Sequence, residues 1–303
     1  MKRFLRDVLR LPEEALQITW AYMTSIARKV VDLDILFLAS GVAFNIVLTL
    51  IPIMLLLASA LGIFLNSSAL GVQQLHNILN TIFPPQPFAT SIKTSLLEVL
   101  STIVEHRNSL GLFGFLVLIW TGLSLFDSIR SVLHRVYYLK RTKSLMASLV
   151  HEVGFLFLAF VFFIVSNVAI WVTTLLERVA LDVPGLRDVP LQGLDKTIPT
   201  IIVMVITTFM FYILYRYMTD SKPPKAAAVI STVTTTVLWI VSGKIFSVYL
   251  TNFSGISTVY GPYAFLLVLL IWIYYSSLIF VFGGIVGQVY WERLRAREHR
   301  AAD

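Results

Sequence analysis

The sequence predicts an all-α membrane protein: a six-transmembrane-helix bundle with amphipathic surface helices and both termini cytoplasmic. Three observations predict this class. The chain has six apolar segments, and the length of each is close to or above the about 20 residues that cross a bilayer as a helix. Only 14% of the residues are charged, against about 25% in soluble domains. Eighteen of the 24 lysines and arginines lie in alternate gaps between the segments. The predicted crossings are Ile35–Leu65, Ser109–Phe126, Val153–Leu176, Ile198–Tyr215, Ala226–Leu250 and Val259–Tyr290.

The basic residues predict orientation, because lysine and arginine concentrate in short cytoplasmic loops. The gaps opposite the basic ones hold only five, and Lys244 lies inside the fifth segment. We therefore expect a multi-pass membrane protein with an even number of crossings and with both termini in the cytoplasm. The net charge of +7 follows from these loops, so membrane lipids are the expected partners and nucleic acid is not. The predicted cytoplasmic regions are 1–34, 127–152, 216–225 and 291–303.

Before the first crossing, apolar residues recur at helical spacing within residues 11–31 and predict an amphipathic helix. Two interpretations remain open: a cytoplasmic elbow packed beneath the bundle, or a helix lying on the membrane surface. The predicted domain organisation is a cytoplasmic amphipathic segment 1–34, a transmembrane domain 35–290 and a basic tail 291–303.

After the first crossing, residues 66–108 predict an external helical insert. Lys93 and Glu98 argue against a further crossing there. The basic stretch Asp127–His151 predicts a short cytoplasmic loop. Proline residues at 223 and 224 predict a stop before the fifth crossing.

The last two crossings carry packing signals. Serine and threonine hydroxyls crowd residues 231–242, which predicts a central helix, not a lipid-facing one. In the sixth crossing, Gly283 and Gly287 form a small-residue face for another helix or for another copy of the chain.

Several spaced elements resemble the YihY/BrkB family of bacterial inner-membrane proteins. In the first half they are Gly41-Val42-Ala43-Phe44 and Leu50-Ile51-Pro52; in the second, Asn252-Phe253-Ser254 and Val259-Tyr260-Gly261. Two positions, His134 and Asn45, depart from the family's usual residues. The resemblance implies six helices and cytoplasmic termini. Its members were long labelled, mistakenly, as ribonuclease BN, a tRNA-processing enzyme, while others were linked to serum resistance or treated as candidate transporters.

The residues do not favour nuclease chemistry, which needs clustered histidines and carboxylates around a metal ion. Only Asp127, His134, His151 and Glu152 could converge, near the inner ends of the second and third crossings. We interpret this group as a polar collar in which Asp127 pairs with Arg130. The prediction is a protein that is not an enzyme, with no metal site and no cofactor. The collar comprises Asp127, Arg130, His151 and Glu152.

The candidate ligand site lies at the opposite mouth, around Lys244, where a lysine either snorkels to headgroups or holds an anionic group. The residues that would join it are Tyr249, Asn252, Ser254, Tyr260 and, deeper, Asn45. These observations predict transport or translocation of an anionic amphiphile or lipid. The alternative is a non-transporting scaffold for envelope-assembly partners, or for a second copy, carried by the glycine face and the basic tail; a nuclease ranks third.

Overall fold

The structure is a computed structural model that describes residues 20–67, 106–140, 142, 145–182, 194–252 and 264–302. Every regular element within these ranges is a helix. We number the helices α1 (from residue 20 to 32), α2 (Ile35–Ser67), α3 (Arg107–Val136), α4 (Leu145–Asp182), α5 (Leu194–Tyr217), α6 (Lys225–Asn252) and α7 (Ala264–Ala302).

Five of these helices are long and apolar enough to cross a membrane. At most 33% of the most apolar stretch of any span is buried, and large apolar side chains cover the exposed faces. Such surfaces suit lipid, where helices satisfy their own backbone hydrogen bonds. The described apolar part of α5, Ile201–Tyr217, is shorter. The spans are Ile35–Ala60, Asn108–Val136, Met146–Val168, Lys225–Tyr249 and Leu266–Ala296.

The prediction that residues 127–152 form a short loop was wrong. α3 continues ten residues beyond Phe126 to Val136, and α4 begins at Leu145, so most of the predicted loop 127–152 is helix. Charged residues end an apolar run in the sequence. They do not end the helix, because a charged side chain leaves the backbone hydrogen bonds of a helix intact, and Asp127 and Arg130 form an ion pair along it. The tail 291–303 is likewise a continuation of α7 as far as Ala302.

Some predictions lie outside the described residues. These are the first part of the amphipathic segment (11–19), most of the external insert (68–105) and the start of the sixth crossing (259–263).

The chain divides into two compact units, Met1–Ala43 with Phe126–Asp303, and Phe44–Leu125. In the smaller unit, α2 and α3 approach closely where glycine meets small or apolar groups. A Cβ on Gly114 would lie 3.2 Å from the Cβ of Leu55. Ser124 donates a hydrogen bond to the side-chain oxygen of Asn45 at 2.7 Å.

In the larger unit, α6 packs against both α5 and α7. Four of its hydroxyl side chains are buried, in line with the predicted central position: Ser231, Thr232, Thr235 and Thr236. Tyr215 bonds Thr235 at 2.6 Å, and Tyr137 bonds Ser231 at 2.8 Å. Gly283 and Gly287 of α7 face this row, and a methyl group on either would overlap a hydroxyl of α6. α6 is therefore the central helix of this unit.

α1 packs along α7, which favours the elbow interpretation. Tyr22 donates to the carbonyl of Val286 at 3.1 Å, and Lys29 pairs with Glu292 at 2.8 Å. Burial raises the pKa of Tyr22, partly opposed by the nearby Arg293 guanidinium, so the phenol stays protonated and able to donate. The other face of α1 carries exposed Trp20 and Met23.

Candidate functional site

A buried ion-pair cluster joins α3 and α4. The Nη2 atom of Arg130 lies 2.8 Å from Asp127 and 2.9 Å from Glu152. The Arg130 and Glu152 side chains are each 5% exposed, whereas Asp127 is 46% exposed. The i,i+3 pair predicted from the sequence is present, and Glu152 supplies the buried partner. His151, the fourth residue of the predicted collar, packs edge-on against Phe155, with ring centroids 5.0 Å apart.

A second polar contact links the α3–α4 connection to the α5–α6 connection. The backbone N–H of Asp220 donates to Nε2 of His134 at 3.2 Å, while Nδ1 lies 3.2 Å from the Leu139 carbonyl. An acceptor at Nε2 and a carbonyl beside Nδ1 require a neutral ring protonated at Nδ1. The Asp220 carboxylate accepts from the backbone N–H of Thr142 at 3.0 Å and lies 3.8 Å from Nε2.

Sequence reasoning missed Asp220. Its only signal was that it is the single acidic residue in the basic stretch 216–225. Its partner His134 is 86 positions earlier, and nothing in local spacing connects them.

α3 ends in a Schellman motif with an unusual residue. Leu139 N–H bonds the His134 carbonyl at 2.9 Å and Tyr138 N–H bonds the Arg135 carbonyl at 3.2 Å, the paired pattern of this cap. Tyr138 therefore occupies the left-handed position, with φ 53°. Glycine is usual there, because a side chain costs about 1–2 kcal/mol in this conformation.

Beside this cap lies a cavity of about 550 Å³. It is formed by the end of α1 and the end of α3 and combines opposite charges with an aromatic ring. Its lining includes two leucines together with Asp32, Ser131, His134, Arg135 and Tyr138.

The residues predicted around Lys244 are described only in part. Lys244 is exposed on α6, and Tyr249 is half-buried with its ring stacked on Phe246, 6.2 Å between centroids. Ser254, Tyr260 and the side chain of Asn252 lie outside the described part of the chain. Their role at this mouth stays a prediction.

Two other predicted residues have structural partners. Asn45 accepts the hydrogen bond from Ser124, so it joins neighbouring helices. Gly283 and Gly287 contact α6 of the same chain, so this face is not available to another copy. Within the ranges that the structure describes, no three histidine or acidic side chains gather closely enough to hold a metal ion.

Comparisons with known proteins place the chain among membrane proteins. A protein of Bordetella petrii named UPF0761 membrane protein Bpet3042 is 22% identical over 86% of this chain and 55% of its own length. A Yersinia pestis UPF0761 membrane protein is 24% identical over 67% of this chain and 66% of its own. The ribonuclease-like protein YfkH of Bacillus subtilis is 24% identical over 66% of this chain and 73% of its own.

The chain thus spans about half the length of the Bordetella relative. No solved structure matches it. The family model described as Virulence factor BrkB matches residues 26–303, which cover nearly the whole chain, including the second half of α1 and helices α2 to α7. With the resemblance in its motifs and its apolar spans, this match shows that the chain belongs to the BrkB family of membrane proteins.

Proposed function

We propose that the chain crosses the bacterial inner membrane six times, with both termini in the cytoplasm. The supporting observation is that predicted inner segments contact one another. Thr142 in the α3–α4 connection bonds Asp220 in the α5–α6 connection. Two connections on one side require α4 and α5 to cross and return. Lys29 of α1 lies 4.4 Å over the ring of Tyr138 and pairs with Glu292 of α7. Lys29 of α1 and Glu292 of α7 therefore lie beside the α3–α4 connection, which supports cytoplasmic termini.

This topology can be tested directly, because the chain has no cysteine. A single cysteine in place of Thr142 should react with a membrane-impermeant thiol reagent only in inverted vesicles. A cysteine in place of Lys196, in the opposite predicted loop, should react only in right-side-out vesicles. Labelling of both from the same side would reject six crossings.

We propose that the protein transfers an anionic amphiphile, of the phospholipid class, between membrane leaflets. Lys244 carries this proposal. It lies 19 residues after the start of α6, about 28 Å along the helix and near the outer end of the span. Its neighbours on the same face, Val241, Ile245 and Val248, are all exposed. A single cation in an exposed apolar stripe suits an amphiphile that has an anionic headgroup and apolar chains.

Lys244→Ala should slow translocation of a labelled anionic phospholipid in reconstituted liposomes by roughly tenfold, since one charge-assisted contact with the headgroup is lost. Lys244→Arg should retain most of the rate. Lys225→Ala removes an exposed charge at the opposite end of the same helix and should leave the rate unchanged. Equal rates for wild type and Lys244→Ala would reject this role.

A scaffold remains the alternative. The face formed by Gly283 and Gly287 cannot recruit a partner, because it is buried against α6. A scaffold would therefore have to bind its partner through the basic end of α7. One arginine there, Arg295, already stacks on Trp291 at 3.9 Å. A stable partner captured by crosslinking in membranes, with no lipid transfer in liposomes, would favour it. The ribonuclease-like name of the Bacillus relative suggests a third function, which we do not favour because backbone groups already engage both ring nitrogens of His134.

A further inference from the structure

We infer that the cavity between the end of α1 and the end of α3 binds the headgroup of an aminophospholipid, with Arg135 on the phosphate and Asp32 on the ammonium group. Such a site binds lipid at one face of the membrane, whether or not the protein transfers lipid between leaflets.

The position of the cavity matches headgroup depth. Asp32 and Leu33 directly precede the span Ile35–Ala60, and Tyr138 and Leu139 directly follow the span Asn108–Val136. The cavity therefore lies where two spans leave the membrane on one side. Tyrosine and arginine are typical of this interfacial layer.

The charges of the cavity are complementary to a zwitterion. Arg135 and Asp32 are both exposed, and no ion pair joins them. Arginine presents a planar set of donors that fits a phosphate, and a carboxylate accepts from an ammonium group. A purely anionic headgroup would meet repulsion from Asp32.

The other polar groups of the wall have defined roles. His134 is held by Leu139 and Asp220 through its ring nitrogens. The Ser131 hydroxyl donates to the Asp127 carbonyl at 2.7 Å within α3. The charge recognition therefore falls to Arg135 and Asp32.

Tyr138 gives independent support. Its left-handed backbone would be free of strain with glycine, yet a tyrosine stands there, lines the cavity and carries Lys29 over its ring. Strained positions of this kind concentrate at ligand sites, where the surrounding structure holds them. The volume of about 550 Å³ lies within the range of ligand pockets.

The surroundings favour a lipid over a soluble phosphoester. Leu36 and Phe37, in the first turn of α2, are exposed immediately on the membrane side of Asp32. Acyl chains can cover these side chains while the headgroup occupies the cavity. A free phosphoester would leave them uncovered.

The test is native mass spectrometry of the detergent-solubilised full chain, titrated with dihexanoyl phosphatidylethanolamine, dihexanoyl phosphatidylglycerol and glycerophosphoethanolamine. Wild type should bind the ethanolamine lipid several-fold more tightly than the glycerol lipid. Arg135→Ala should weaken both roughly tenfold, and Arg135→Lys should recover part of the loss. Asp32→Asn should abolish the preference for ethanolamine and leave the glycerol lipid no weaker.

Lys140→Ala is the matched control. It removes an exposed positive charge near the cavity that does not line it, and should change nothing. If Lys140→Ala and Arg135→Ala weaken lipid binding equally, the effect comes from the overall positive charge of the surface, and the proposed site is overturned. An ethanolamine preference that survives Asp32→Asn would overturn the zwitterion assignment. If glycerophosphoethanolamine binds as tightly as the ethanolamine lipid, the acyl chains contribute nothing, and the ligand is not a lipid.

Two results separate this site from the proposed transfer. Binding lost in Arg135→Ala, with translocation unaffected by Lys244→Ala, upholds the cavity and rejects the transfer proposal. Normal binding in Arg135→Ala, with translocation slowed by Lys244→Ala, does the reverse.

Discussion

Gly287→Ala is expected to destabilise the protein by about 2–3 kcal/mol, the upper part of the usual range for an overpacked core. The added methyl group would overlap the Ser231 hydroxyl and lie 2.5 Å from the Ala227 carbonyl oxygen. A hydroxyl can rotate, but a helix carbonyl moves only with its backbone. α6 and α7 must therefore separate at their closest approach. The measurement is the thermal unfolding midpoint of the detergent-solubilised protein.

Other glycines provide graded controls. Gly283→Ala should be milder, because its worst overlap is with the Thr235 side chain, and Thr235→Ala should relieve part of it. A methyl group on Gly154 would meet nothing within 4 Å. Gly154→Ala should therefore be neutral, or stabilising by about 0.5–1 kcal/mol through lower backbone entropy in the unfolded chain. If Gly154→Ala and Gly287→Ala lower the midpoint equally, close packing of α6 on α7 is not the cause.

Arg130→Ala should destabilise by about 3–5 kcal/mol, the typical cost of removing one partner of a buried ion pair. The Glu152 carboxylate is 5% exposed and would lose the guanidinium 2.9 Å away. Asp127 is 46% exposed and would regain water instead. Asp127→Ala should therefore cost less than about 1 kcal/mol, as for surface ion pairs.

A double-mutant cycle separates charge from packing. Arg130→Met combined with Glu152→Met removes both charges and keeps apolar volume, so it should recover most of the loss caused by Arg130→Met alone. Unfolding midpoints of the four proteins give the coupling. Additive losses in the double variant would mean that the pair contributes through packing and not through charge.

The candidate site was only partly predictable. The pair Asp127–Arg130 follows from helical spacing, because residues three apart share a face. Spacing could not reveal Asp220 beside His134, or Lys29 over Tyr138, because each pair joins segments distant in the chain. Charges after Phe126 predict the end of an apolar run, whereas α3 continues to Val136. Hydropathy cannot show that Glu152 of another helix accompanies Arg130 at 2.9 Å, because that contact depends on how α4 packs.

By itself the sequence determined that this is a helical membrane protein, and its motifs identified the family. Hydropathy, charge bias and motif matches are properties summed over many residues, so a local error hardly alters them. Only the tertiary structure decided which glycine face meets which helix, which carboxylate accompanies Arg130, and that Asp32 and Arg135 share one cavity. Each of these depends on a few atoms brought within ångströms by packing, and no local pattern specifies that approach.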